Sequence, residues 1–266
     1  MEGIYILKLG GSIITDKKSG RPRMRLARVK QIAREIAVAR SKMPGLKLII
    51  LYGGGSYGHP LAHRFRVHER PLSADAFMGI GYTVTAMREL GTRLAKVLLD
   101  AGIPILPLQT SSLGRLRRGN FAFTDASLIK TAVSNGGIPL LGGDVVFSER
   151  NRSVIVSADI IAVAMASIFK NTRILFATDT DGVYPSFPPK KGVRPYAELY
   201  HAGIRRILKR LGTHDNLSTD VTGAMGGKLR ALLNTPTAHA MIFNGNKNGI
   251  FGRVLLGKKE GTYVTP

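Results

Sequence analysis

The chain has no cysteine. That absence excludes a disulfide framework, thiolate nucleophiles and thiolate-bound metals. Long apolar runs are also missing: none reaches the ~18–20 residues that a membrane-spanning helix needs. Met1-Glu2-Gly3 leads directly into a strand-like segment rather than a signal peptide, so a soluble cytoplasmic protein is expected. Acidic residues are scarce, 17 Asp+Glu against 39 Lys+Arg, for a net charge of +22. Several signatures do not occur: the Gly-x4-Gly-Lys-Ser/Thr phosphate loop, zinc-finger spacing, and an RNA-binding signature with interleaved aromatics. No His cluster offers a metal site, no Ser-His-Asp arrangement suggests itself, and no repeat, linker or low-complexity segment stands out.

What is present points to one large sheet-based domain. The 266 residues are long for one domain and short for two, and a hydrophobic content of 44% supplies a full core. The basic residues are spread in modest clusters at Lys17–Arg28, Arg115–Arg118, Arg205–Arg210 and Lys258–Lys259. That distribution fits a solvated surface that attracts anionic substrates better than a nucleic-acid footprint.

The segment Tyr52-Gly53-Gly54-Gly55-Ser56-Tyr57-Gly58-His59-Pro60 organises the rest. It follows the buried-strand pattern Leu48–Leu51, and its run of glycines lets backbone N–H groups approach an anion closely. His59 at its far end can donate a charge-assisted bond to phosphate. A tight strand-to-helix turn with a packing histidine explains the same residues taken alone. Earlier, Ile4–Leu9 reads as a strand that carries Lys8 and runs into Gly10-Gly11-Ser12, with Lys17 beyond. Apolar periodicity predicts a helix from Arg25 to Met43, then a strand at Lys47–Tyr52, the strand–helix–strand unit of a parallel sheet.

Ser73 is placed to cap a long helix to about Ala101 that carries Phe77, Met78, Ile80, Tyr82, Val84 and Met87. A strand at Ile103–Leu108, a hairpin at Arg115–Phe123, a helix to Asn135 and a strand at Ile138–Leu141 follow, and the last ends in Gly142-Gly143-Asp144. A second hairpin over Val145–Val156 turns at Arg150-Asn151-Arg152. Ser157 then caps a helix to about Phe169, with Asp159 in its first turn, where either the helix dipole or nearby ammonium groups would favour a carboxylate. Thr172–Ala177 is a strand leading to Asp179 and Asp181, Ala202–Leu211 a basic helix and Ala238–Phe243 a last strand. The segment Asp220–Lys228 reads as a glycine-rich turn before a short helix at Leu229–Leu233. Glycine turns at strand ends, beside Lys8, Lys17, His59 and Lys228 and with Asp159 as anchor, suit two anions that react with each other. Phosphoryl transfer is such a reaction, because it needs charge neutralisation and positioning more than a covalent nucleophile.

Six motifs carry a resemblance in chain order: KLGGS at Lys8–Ser12, GGGSYGH at Gly53–His59, GGD at Gly142–Asp144, SAD at Ser157–Asp159, TDTDGVY around Asp179, and DVTGAMGGK at Asp220–Lys228. Together they resemble the amino acid kinase superfamily over nearly the whole chain. The TDK after KLGGS and the histidine closing GGGSYGH resemble its isopentenyl phosphate kinases. The resemblance implies a three-layer α/β/α sandwich around a mainly parallel sheet. It also implies an N-terminal acceptor lobe (about 1–167), a C-terminal nucleotide lobe (about 168–266) and a homodimer. The implied reaction is ATP-dependent phosphorylation of isopentenyl phosphate to the diphosphate in archaeal-type isoprenoid synthesis. Mg²⁺ would accompany ATP rather than sit in a protein metal site. A fosfomycin-type phosphonate kinase is the alternative acceptor class, and a nucleotide-sensing protein the non-enzymatic one.

By motif, Lys8 and Lys17 would stabilise the transferring phosphoryl group and Asp159 would orient them. Gly10, Gly11 and Ser12, with Gly55 and Lys228, would hold the ATP phosphates. Asp179 would meet the nucleoside side. Ala224, where glycine is commoner in the family, falls in the same ATP-binding set. His59, Gly54 and Gly143 would hold the acceptor phosphate. Ile155 would face the long helix across an apolar pocket for the five-carbon tail.

Overall fold

The computed structural model describes residues 3–68, 71–149, 152–186, 188–212, 221–235 and 238–266. Eight strands form the central sheet: β1 (Ile4–Leu9), β2 (Lys47–Tyr52), β3 (Ile105–Pro107), β4 (Ile138–Gly142), β5 (Thr172–Thr178), β6 (Glu198–Tyr200), β7 (His239–Asn244) and β8 (Thr262–Thr265). Their order is β6-β8-β7-β5-β1-β2-β4-β3. Only the β7–β8 pair is antiparallel; the other neighbours are parallel. The first four strands therefore form one half of the sheet and the last four the other, and the chain changes direction between β1 and β5. Ligands of open α/β sheets bind beyond the strand C-termini at such a switch point.

Five helices position the site: α1 (Leu26–Lys42), α2 (Gly55–Arg64), α3 (Ala74–Asp100), α4 (Ala158–Ala166) and α5 (Val221–Leu232). Strand alternation sorts the two cores. Tyr5, Leu7 and Leu9 of β1 pack with Val29 and Ile36 of α1 and Leu90 and Leu94 of α3. Ile4 and Ile6 face the other layer, against Ile161 of α4 and Leu229 and Leu232 of α5. Two hairpins, Gly114–Arg117 with Asn120–Phe123 and Asp144–Phe147 with Ser153–Val156, stand outside the sheet. The three-layer α/β/α sandwich expected from the sequence is present.

β1 and β2 fall where the sequence puts them, and Ser73 caps α3 by accepting from the Ala76 amide at 3.2 Å. Several expectations need correction. The glycine segment is a loop only to Gly54: Gly55–Arg64 is helical, so Ser56–His59 belong to α2. Glycines and Pro60 read as loop, but burial of Tyr57 and Ala62 outweighs their low helix propensity. Gly223, Gly226 and Gly227 likewise lie inside α5, which begins at Val221, rather than in a turn before it. There the burial of Met225, Leu229 and Leu232 outweighs propensity. α4 ends at Ala166, short of Phe169. The short strands β6 and β8 were not expected. Asp220 and the Arg150-Asn151 turn lie outside the described residues.

Candidate active site

The strands β1, β2, β4 and β7 end at one level, and the residue after each is tied to a neighbouring strand. Gly10 N–H donates to Ala177 C=O, Gly53 N–H to Leu9 C=O and Gly143 N–H to Tyr52 C=O, each at 3.0 Å, and Gly245 N–H donates to Thr178 C=O at 2.7 Å. The first two loops touch each other. A Cβ on Gly11 would stand 2.5 Å from the Gly55 nitrogen, and Gly55 has φ +49°. Glycine is thus required at both positions by the meeting of two backbones. Thr15, fully buried, latches the loops: its hydroxyl donates to Gly11 C=O at 2.7 Å and accepts from Ser56 N–H at 3.0 Å. Neither the Gly11–Ile14 helical turn nor α2 is capped by the side chain of its own N-cap residue, although Thr15 takes the Ser56 amide of α2, and both helix starts meet at the cleft.

Beneath this floor lies a buried charge cluster. Lys8 takes the same face of β1 as Ile4 and Ile6, which turns its ammonium toward α4. Ser157 caps α4 by accepting from the Ile160 amide, which places Asp159 in the first turn. Lys8 Nζ lies 2.8 Å from Asp159 Oδ1, and Lys228 Nζ, from α5, lies 3.2 Å from Oδ2. All three residues are under a tenth exposed. Burial pushes the Asp159 carboxyl up, but Lys8 and then Lys228 outweigh it and hold it below the usual carboxylate range. Burial lowers the Lys8 ammonium to about 8; Asp159 opposes that shift and Lys228 adds to it. With both ammoniums charged, the cluster carries a net positive charge where β1 ends. Beside Lys8, Asp159 holds Lys228, which the sequence motifs place on the ATP phosphates and not at this carboxylate. Spacing alone does not reveal that α5 packs beside α4 and carries Lys228 to the carboxylate.

Lys17 sits in an exposed turn, Lys17–Ser19, within a loop closed by the Thr15–Met24 bridge. His59 lies in the second turn of α2, exposed, one turn beyond Gly55. Side chains of a helix incline toward its N-terminus, so His59 leans toward the glycine loop. Met87 of α3 lies directly under that loop: a Cβ on Gly54 would be 3.1 Å from its sulfur. Gly143 is half-buried next to a cavity of about 220 Å³ that Tyr52, Val84, Met87 and Asp144 also line. Of the long-helix candidates for an apolar pocket, Ile80 and Met87 are core, whereas Phe77, Met78 and Tyr82 are more than half exposed. The Phe77 ring meets Phe147 of the second hairpin at 6.1 Å. Ile155 pairs with Val145, on the hairpin face it shares with Phe147, and stays partly exposed.

Asp179 is exposed at the end of β5, and its carboxylate accepts from the Thr178 hydroxyl at 3.2 Å. Ala224 lies in the first turn of α5. The sequence reading missed two groups. Asp181 accepts from Asn244 Nδ2 at 3.0 Å and pairs with Lys247 at 2.8 Å, which ties the β5 loop to the β7 loop. Arg25 Nη1 donates to both Ser12 C=O and Asn246 Oδ1 at 3.0 Å, linking the first glycine loop to the segment after β7. Asp181 belongs to the TDTDGVY motif and Arg25 to none, but only the folded chain shows either residue as a bridge. Among the described residues no cluster of three His, Asp or Glu could hold a metal ion.

A cationic cluster under two glycine loops, at the switch point of a parallel α/β sheet, defines a class of protein that binds and positions phosphates. The chain belongs to the amino acid kinase family, whose sequence profile matches residues 3–240. It is 33% identical to the isopentenyl phosphate kinase of Methanothermobacter thermautotrophicus, over 98% of this chain and 99% of that one. It is 31% identical to the enzyme of the same name from Methanocaldococcus jannaschii, over 98% of each. A solved isopentenyl phosphate kinase structure superposes with a TM-score of 0.81 at 28% identity, covering 98% of this chain and 99% of that one.

Proposed function

We propose that this protein transfers the γ-phosphoryl group of ATP to isopentenyl phosphate, making isopentenyl diphosphate and ADP. The observation that carries the reading is the buried Lys8–Asp159–Lys228 cluster below the Gly10–Ser12 and Gly53–Gly55 loops, with His59 one helical turn further on. Near-full-length similarity to enzymes of that name supports the choice of acceptor. An attacking oxygen of the acceptor phosphate already carries charge, so no general base is needed, and none is evident. The γ-phosphorus–oxygen bond to ADP breaks as the bond to the acceptor oxygen forms, and the charge freed on the leaving oxygen falls to Lys8 and Lys228. Preorganised positive charge of this kind is the main catalytic resource in phosphoryl transfer.

In this reading Gly10, Gly11, Ser12 and Gly55 hold the nucleotide phosphates, with Ala224 and Asp179 on the nucleotide side. Gly54, Gly143 and His59 hold the acceptor phosphate, and the tail lies against Phe77, Phe147 and Ile155. The half-sheet up to α4 serves the acceptor and the half from β5 the nucleotide. Mg²⁺ would accompany ATP and neutralise phosphate charge, while Asp159 stays engaged by the Lys8 and Lys228 ammoniums. The assembly is a homodimer, and the protein works in the cytoplasm; no helix is long and apolar enough to cross a membrane among the described residues.

His59→Ala tests the acceptor assignment. It should lower kcat/KM for isopentenyl phosphate by about 10²-fold, the value of a charged hydrogen bond to a phosphate in a closed site, with the KM for ATP little changed. Near-normal turnover would remove the proposed role. Lys17→Ala should lower kcat by about 10²–10³-fold and raise KM far less, because its contact strengthens as charge moves onto the transferred group. A change confined to KM would make Lys17 a ground-state binder.

The pH dependence follows from Lys8. Its ammonium loses a proton as pH rises through about 8, so kcat/KM for ATP should fall above that pH. Bound phosphates favour the charged form, so the limb of kcat should lie at higher pH. ATP binding near pH 8.5 should therefore take up protons, which calorimetry in buffers of different ionisation enthalpy would read. Binding heats independent of the buffer would contradict it.

A further inference from the structure

The strands of the sheet also have a starting end, about 20 Å from the glycine loops by the rise of a six-residue strand. There a cavity of about 680 Å³ opens between the first residues of β1, β5 and β7 and the turn after α4. Tyr5, Lys170, Asn171, Arg173 and His239 line it, and no carboxylate among the described residues does. Three of these share one row: Tyr5 is in register with Arg173, and Arg173 with His239. Parallel neighbours in register present their side chains on the same face, so the row is continuous.

Arg173 and His239 of this row lie against rings rather than acids. The Arg173 guanidinium lies over the Tyr5 ring at 5.8 Å, and its Nη1 donates to the Tyr5 hydroxyl at 3.4 Å. His239 stacks on Tyr263 at 5.7 Å, and Lys259 Nζ lies 4.5 Å from the centroid of that Tyr263 ring. An ion pair would cancel the Arg173 charge, whereas a ring holds the guanidinium and leaves its charge available. Asn171, at φ +55°, accepts from Ile4 N–H at 3.2 Å and so anchors the turn that carries Lys170 beside the cavity. The site is thus fixed, concave and cationic, with Phe169 and Ala166 as its apolar wall. Its volume lies in the range of small-ligand pockets rather than of an extended groove.

We propose that this cavity is a second anion site, separate from the reaction cleft, for a small molecule bearing two or more phosphate charges. Arg173 grips the phosphate oxygens with its planar fork and Lys170 adds a point charge. His239 closes the far side. A nucleic-acid strand is the competing occupant; a bounded cavity favours the small anion.

The test is an NMR titration of the His239 ring, assigned with His239→Gln, using inorganic diphosphate as the probe. The reading expects saturable shifts of His239 that are independent of those of His59, which reports on the reaction cleft. The double variant Lys170→Ala, Arg173→Ala should weaken the His239 response at least tenfold and leave turnover unchanged. Both residues are exposed, so the variant should fold. An unmoved His239 ring, or an unchanged affinity in the double variant, overturns the proposal. Tighter binding of a single-stranded oligonucleotide at the same ring overturns the small-anion reading.

Discussion

Asp159→Asn is expected to disable the enzyme and destabilise the fold together. The substitution keeps the shape of the side chain and removes the one negative charge between the Lys8 and Lys228 ammoniums. Breaking a buried ion pair by neutralising one partner costs about 3–5 kcal/mol, because an uncompensated charge remains. Here two like charges remain, with Lys228 already lowering the Lys8 ammonium from its ordinary range. Lys8 should respond by giving up its proton at neutral pH, which relieves part of the stability loss and removes the charge that catalysis uses. Turnover at pH 7 should fall by about 10³-fold, the scale on which loss of a preorganised electrostatic group is felt. A simple structural lesion would leave the pH profile where it was. In this account the descending limb moves to lower pH than in the parent enzyme, so the deficit narrows as pH falls toward 6. An unchanged melting temperature and an unmoved profile would contradict the cluster's role.

The second large effect is expected from Gly11→Ala, through geometry rather than charge. A Cβ on Gly11 would lie 2.5 Å from the nitrogen and 2.6 Å from the Cα of Gly55. Both atoms are backbone, so no side chain can swing away. The two loops must separate by roughly an ångström, the displacement that costs about 10²-fold in a positioned reaction. Separation also strains the two hydrogen bonds of Thr15 that join the loops. We expect kcat/KM to fall by about 10²-fold or more and stability by about 1–3 kcal/mol, as for other overpacked sites. Gly45→Ala is the control: its Cβ would meet nothing within 4 Å, so activity and stability should stay as they are. Equal behaviour of the two variants would show that the loops do not need their close approach.

The same two sites show how far the sequence can be read. Glycines after strand-like runs mark Gly10–Ser12 and Gly53–Gly55 as backbone floors, because few other uses of such runs follow a buried strand. Lys8 is legible too, as the charged residue near the end of an otherwise apolar strand. The pairing of Asp159 with Lys228 is not, because it depends on α5 lying beside α4, and a contact between residues 69 apart leaves no local period. The Ser56–His59 and Gly223–Gly227 segments were misread for a related reason. Glycine lowers helix propensity locally, and the burial of Tyr57 and Met225 that outweighs it becomes visible only in the folded protein. Arg25 has no motif at all, and the TDK motif says nothing of what Thr15 does; Arg25 matters through the Ser12 carbonyl and Thr15 through the Gly11 carbonyl and the Ser56 amide. The short strands β6 and β8 hold three and four residues, too few to show alternation.

The most direct test of the central claim is ADP release by the purified protein with ATP and one acceptor at a time: isopentenyl phosphate, glutamate, UMP or fosfomycin. The account predicts that isopentenyl phosphate is used with a kcat/KM at least about 10²-fold above the others, the discrimination expected of a site built to hydrogen-bond one kind of anion. Preferred turnover of any other acceptor, or ATP binding with no acceptor phosphorylated, would contradict it.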